Sequence, residues 1–151
     1  MIKIICVGKI KEKYLCDAID EYKKRLSKYT KLEIIEVTDI NSLDVNVILN
    51  KEGKLIEKHI NDKDYVITLE IEGNMLNSIE LSNKINTIFN TNSNIVFIIG
   101  GSYGLSPVIK QRSNYSLSFS KLTFPHQLFR VNLLEQIYRS FKILNNESYH
   151  K

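Results

Sequence analysis

The chain has 151 residues, 43% of them hydrophobic, enough for one compact domain (1–151) with a packed core and no room for a second. Its net charge of +4 is uneven: residues 1–100 hold 14 of the 21 Lys and Arg and 15 of the 17 Asp and Glu, while residues 101–151 hold the other 7 bases and only Glu135 and Glu147. No apolar run approaches the about 18 residues of a membrane span, and the opening MIKIICVGKI lacks the length and flanks of a signal peptide, so a soluble cytoplasmic protein is expected.

Ile2 to Val7 reads as a strand, and the apolar positions Leu15, Ala18, Ile19, Tyr22 and Leu26 give helical spacing from Lys13 to Tyr29. Cys6 and Cys16, on these two elements, lack a Cys-x-x-Cys partner or a neighbouring histidine, which points to reduced thiols and no metal site. Leu32 to Val37 returns to strand composition, and a weaker helix runs from about Val45 to His59, with Gly53 lowering its propensity. Tyr65 to Ile71 is a strand, Ser78 to Phe89 a helix, and Ile95 to Ile99 a buried strand ending in Gly100, Gly101 and Gly104. Ser106 and Pro107 form an N-cap and first-turn pair, Leu117 to Leu122 is short and extended, and a long helix from Pro125 carries Leu128, Val131, Leu134, Ile137, Phe141 and Leu144 on one face. Strands alternating with helices predict an α/β domain with a mainly parallel sheet flanked by helices.

Open parallel sheets bind ligands beyond the carboxyl ends of their strands, which makes Leu69 to Gly73, Gly100 to Gly104 and Phe119 to Phe124 the candidate loops. A phosphate-binding Walker loop is excluded because Gly104 is followed by Leu105 rather than by Lys and Ser or Thr. Gly100-Gly101-Ser102-Tyr103-Gly104 does match the Gly-x-Ser-x-Gly nucleophile elbow, which keeps a serine hydrolase open as an alternative. However, the next helix signal comes late, no aspartate follows Ser102, and Glu135 with His150 is the only acid-then-histidine order left. The basic end of the chain, with Lys110, Arg112, Lys121, Arg130, Arg139, Lys142 and Lys151, suits a polyanion or a solvated positive face.

The segments VGKIKEKY, TLEIEG, IIGGSYGL, RSNYSLSFSKLTFPHQLFRV, LEQIYR and the terminal SYHK resemble the RlmH family of bacterial SPOUT methyltransferases, over nearly the whole chain. The resemblance implies a C-terminal trefoil knot within the α/β fold and a homodimer. It further implies S-adenosylmethionine as methyl donor, and methylation of N3 of a pseudouridine in large-subunit (23S) ribosomal RNA, with the assembled 70S ribosome expected as substrate and free RNA the open alternative. Neither spacing nor composition indicates a knot, and connections are unknotted by default. The loop after Asp39 is shorter than the family leads one to expect, and Lys151 stands where some relatives carry arginine, a point charge in place of a planar fork.

Carried onto this sequence, the family's donor pocket falls on Leu69, Gly100, Phe119, Ser120, Lys121, Leu122, Thr123 and Phe124. Apolar walls with backbone hydrogen bonds suit an adenine, although core packing is the ordinary role of Leu122 and Phe124. The uracil N3 is a poor nucleophile until it loses its proton, so Tyr149 with His150 in the tail, or His126 as a competing base, are the catalytic candidates. Arg130, Arg139 and Lys151 are candidates for ribosomal RNA phosphate, with bracing of the site or pairing to Glu135 as the other role for the arginines. A non-catalytic RNA- or ribosome-binding protein is the rival from another class.

Overall fold

In the computed structural model, which describes residues 1–151, strand and helix alternate throughout. The order is β1 (Ile2–Val7), α1 (Lys13–Leu26), β2 (Leu32–Val37), α2 (Val45–Glu57), β3 (Tyr65–Met75), α3 (Ser78–Phe89), β4 (Ile95–Ile99), α4 (Pro107–Arg112), β5 (Tyr115–Ser118) and α5 (His126–Leu144). All five strands are parallel, in the order β2-β1-β4-β3-β5. Every residue of β1 and β4 is buried, because both faces of the sheet are covered by helices; Lys3, the one charged residue among them, donates through Nζ to His59 O at 2.8 Å. Alternation across the pleat separates two cores. Ile2, Ile4, Cys6 and Phe97 pack against α1, α3 and α5, while Ile5, Val7, Val96 and Ile98 meet Ile56 of α2 and Ile109 of α4. Burying each such side chain stabilises the fold by about 1.5–3 kcal/mol.

Capping follows the chemistry of the residues at the helix starts. Asp44, Asn77 and Ser106 accept from the backbone N–H of Asn46, Glu80 and Ile109, satisfying donors that the first turn leaves free. Gly53 has a packing reason to interrupt α2: a Cβ there would lie 2.5 Å from Ser106 Oγ, the atom that caps α4. The sequence weighed its cost in propensity and could not see the neighbouring helix.

Two elements differ from their expected bounds. β3 continues to Met75 instead of stopping at Ile71, with Leu69 and Asn74 both registered against Leu117, so the four residues between them bulge out of the ladder. Gly73 permits this fold-back, since a Cβ would come within 2.9 Å of the Ser116 and Leu117 backbone. The last strand spans 115–118 rather than 117–122, because Asn114 Oδ1 and Ser113 Oγ dock its start onto β3 and leave the residues after Ser118 free.

The long helix α5 lies between α1 and α3, and its buried sector is turned from the predicted stripe. Leu134, Ile137 and Phe141 are buried as expected, joined by Leu133 and Tyr138, whereas Leu128 is 40% exposed and Val131 and Leu144 are half-buried. Arg130 and Ser140 take buried places on that sector, where hydropathy alone would have put neither.

Candidate functional site

Because all strands run parallel, the bulged part of β3 and the segments after β4 and β5 meet at one end of the sheet and enclose a cleft of about 470 Å3. Leu69, Gly100, Phe119, Ser120, Leu122, Thr123 and Phe124 all line it, and His126 joins them from the first turn of α5. Lys121 is exposed and lies outside the lining. The bulge of β3 brings Glu70 to the rim, where it accepts from Thr68 Oγ1 at 2.8 Å and faces Lys110 Nζ at 3.5 Å. Sequence reading singled out neither Glu70, Tyr103 nor Phe129, which also line the cleft. The strand-end rule covers the first two; Phe129 was legible only as part of a helix.

The floor is a tight turn. Gly104 N–H donates to Gly101 O at 3.1 Å, and Gly104 adopts φ +82°, a left-handed conformation that favours glycine. The roof is the segment 119–124. There Leu122 N–H donates to Ser120 Oγ and Ser120 O accepts from Ser118 Oγ; the remaining peptide groups of Phe119, Lys121, Thr123 and Phe124 have no protein partner. Phe119 and Phe124 pack against Phe129 with ring centroids 4.8 and 6.4 Å away, while Leu122 stays 70% exposed. Unpaired amides beside aromatic walls suit a flat heterocycle that needs an apolar slot and a few directional hydrogen bonds.

His126 is partly buried, and burial followed by the Arg130 charge lowers its pKa, with Asp39 opposing. Its ring is therefore neutral at neutral pH. Ser102 is exposed on the turn, while Glu135 and His150 both contact Arg139 in the far half of α5, so no triad assembles around it.

Arg130 does not face solvent. It is 2% exposed, donating through Nη1 to Glu36 at 2.7 Å and through Nη2 to the carbonyls of Val7 and Gly8 at 3.0 and 2.7 Å. The guanidinium thus ties α5 to the carboxyl ends of β1 and β2, the bracing alternative rather than a phosphate contact. Arg130→Met would strand those acceptors and is expected to cost about 2–4 kcal/mol. A urea-unfolding midpoint equal to that of the unaltered protein would contradict this.

The tail forms a second cluster. Tyr149 OH donates to Glu135 Oε1 at 3.1 Å, and burial first, then that bond, pushes its phenol up to about 12, so it stays protonated. Arg139 donates to the same carboxylate at 2.6 Å, lies 4.7 Å above the Tyr149 ring, and offers Nη1 to His150 Nδ1 at 3.2 Å. An arginine only donates, so Nδ1 accepts in this contact and Nε2 is the ring nitrogen left to carry a hydrogen. Lys151 is exposed. Arg139 lies 13 residues beyond His126 on one helix, about 20 Å at a rise of 1.5 Å per residue. Within one chain the tail and the cleft stay apart.

A family model described as "Predicted SPOUT methyltransferase" matches residues 1–150. The chain is similar to proteins named ribosomal RNA large subunit methyltransferase H from Clostridium botulinum. The relative from strain Langeland is 59% identical over 99% of both chains, and those from strains Loch Maree and Alaska E43 are each 58% identical over the same share. No helix is long and apolar enough to cross a membrane.

Proposed function

The chain belongs to the SPOUT methyltransferase family, and on that premise we propose that it methylates N3 of a pseudouridine in large-subunit ribosomal RNA. S-adenosylmethionine is the proposed donor, the assembled ribosome the proposed substrate, and a homodimer the working form. The observation that carries this reading is the roof of the cleft, where free peptide groups of 119–124 sit beside apolar walls in a space of about 470 Å3. These residues fit the donor: Leu69, Leu122, Phe119 and Phe124 supply the slot for its adenine, and the amides of 119–124 supply direction. When bound, S-adenosylmethionine supplies an electrophilic methyl group on a sulfonium. The trefoil knot implied by the family would hold these segments in register.

The separation of tail and cleft favours a composite site. A two-fold axis crossing the middle of α5 carries the far half of one helix toward the start of its partner, and so one tail toward the other cleft. Leu128 and Val131, left outside the core of a single chain, lie on the flank that such a contact covers. In this arrangement His150 presents Nε2–H as a donor to a uracil carbonyl, Tyr149 and Arg139 hold it there, and Arg139 and Lys151 add positive charge for the RNA. His126, neutral and in the cleft wall, is the group placed to accept the N3 proton. His126→Gln is therefore expected to lower methyl transfer about a hundredfold near pH 7, with the deficit shrinking as rising pH deprotonates the base without help. A deficit that does not change with pH would assign His126 to positioning instead.

Incubation with radiolabelled S-adenosylmethionine and either intact 70S particles or purified 23S RNA tests the whole reading, with label expected in the ribosomal RNA of the particles. A chain that binds ribosomes but shows no donor binding in calorimetry would establish the non-catalytic alternative.

A further inference from the structure

Residues 23–31 contain Lys23, Lys24, Arg25, Lys28 and Lys31 and no carboxylate, a concentration of charge concealed when the first hundred residues are counted together. In the fold they surround the C-terminal end of α1 and the start of β2, where a groove of about 600 Å3 is lined by Lys23, Ser27, Lys28, Tyr29, Thr30 and Lys31. All five cationic side chains are on exposed residues. Arg25 is paired with Glu21 at 3.0 Å and Lys28 lies 3.7 Å from Glu147, but Lys23, Lys24 and Lys31 pair with no carboxylate. The groove adjoins the tail: Glu147 joins Lys28 to Lys142 and accepts from Tyr29 OH at 2.8 Å, and Arg25 lies 5.6 Å from the Tyr138 ring that supports Tyr149.

We propose that this groove is a docking surface for the ribosomal RNA backbone, delivering the target nucleotide to the site that the tail completes; it rests on the ribosomal RNA reading above. The competing explanation, that the cations offset the negative end of the α1 dipole, accounts for Lys23, Lys24 and Arg25 in the last turn. It does not account for Lys28 and Lys31, which follow the helix, nor for a groove between them. Tyr29 is the one aromatic residue of the groove, and its hydroxyl is taken by Glu147 while its ring stacks on Phe141 at 5.8 Å and has Lys28 Nζ 5.3 Å from its centroid. The surface therefore reads phosphate and not sequence, which fixes the register of the RNA and leaves base choice to the active site.

The test is a triple variant, Lys23→Gln with Lys28→Gln and Lys31→Gln, assayed on 70S ribosomes across a potassium chloride series. The KM for ribosomes is expected to rise about tenfold or more near 0.1 M salt, and the slope of log affinity against log salt to fall by about 2–3, near 0.9 per phosphate contact removed. Donor affinity and kcat at saturating ribosomes should stay unchanged. The control, Lys51→Gln with Lys54→Gln and Lys58→Gln, removes the same charge from exposed positions on α2 and its C-cap, across the sheet from α1. Equal loss in the control, or no change in KM and slope in the groove variant, overturns the proposal while the methyltransferase reading stands. An unaltered protein that transfers no methyl group to ribosomes overturns both. A benzophenone amino acid at Lys24 should photocrosslink to ribosomal RNA; exclusive crosslinks to a ribosomal protein would overturn an RNA partner.

Discussion

Deleting Tyr149, His150 and Lys151 should lower methyl transfer to ribosomes by a hundredfold or more, the scale on which lost positioning and proton-transfer effects act. Donor affinity should hold, because the cleft is built from residues 69–129 and none of the tail lines it. The tail is also packed against the fold. Tyr149 packs edge-on against Tyr138 at 5.0 Å and bonds Glu135, so its loss should also lower stability by about 1–2 kcal/mol. His150→Ala separates the effects. With Nδ1 occupied by Arg139, the imidazole has a donor to offer and no free acceptor, so the loss should be independent of pH. A loss recovered at high pH would make His150 the base, and a truncated enzyme with full turnover would remove the tail from the site.

Gly100→Val should abolish measurable donor binding, an effect of a hundredfold or more on affinity. In the structure a Cβ there meets Gly104 O at 2.6 Å and Gly104 C at 2.7 Å, backbone atoms that can give way only if the Gly101–Gly104 turn opens. Even Gly100→Ala should therefore distort the cleft floor. Gly101→Ala provides the contrast: its Cβ meets Val7 Cγ1 at 3.1 Å and Glu52 Oε2 at 3.3 Å, side-chain atoms that need give by only a few tenths of an ångström while the backbone of the turn stays in place, so donor affinity should fall less. Calorimetric titration with S-adenosylmethionine checks the ranking. Tight binding by folded Gly100→Val would remove this turn from the donor site.

The strands were legible because a doubly covered parallel sheet needs nearly continuous apolar runs: IVFII is one, and IKIICV is broken only by Lys3, whose Nζ donates to His59 O. The strand-end rule then placed Leu69, Gly100 and Phe119 on one cleft before any residue was seen in space. The missing parts depend on contacts between distant segments. The bulge at 70–73 arises from the pairing of β3 with β5 and from the room at Gly73, neither of which has a local signature. Arg130 reads in sequence as one more cation at a basic end; only the approach of β1 and β2 to α5 turns it into a buried tie. The distance from tail to cleft, and the groove at the end of α1, likewise exist only once α1 and α5 lie side by side.

The most direct test of a site shared between subunits is complementation in a mixed dimer. One subunit carries Gly100→Val and an intact tail; the other lacks residues 149–151 and keeps its cleft, and the pair is purified through two different tags. Each variant alone should be inactive on 70S ribosomes. The mixed dimer recovers one complete site, cleft from one subunit and tail from the other, and should show roughly half the activity of the unaltered dimer, as one restored site of the two that closed two-fold symmetry provides. A purified mixed dimer as inactive as its parents would contradict the composite site.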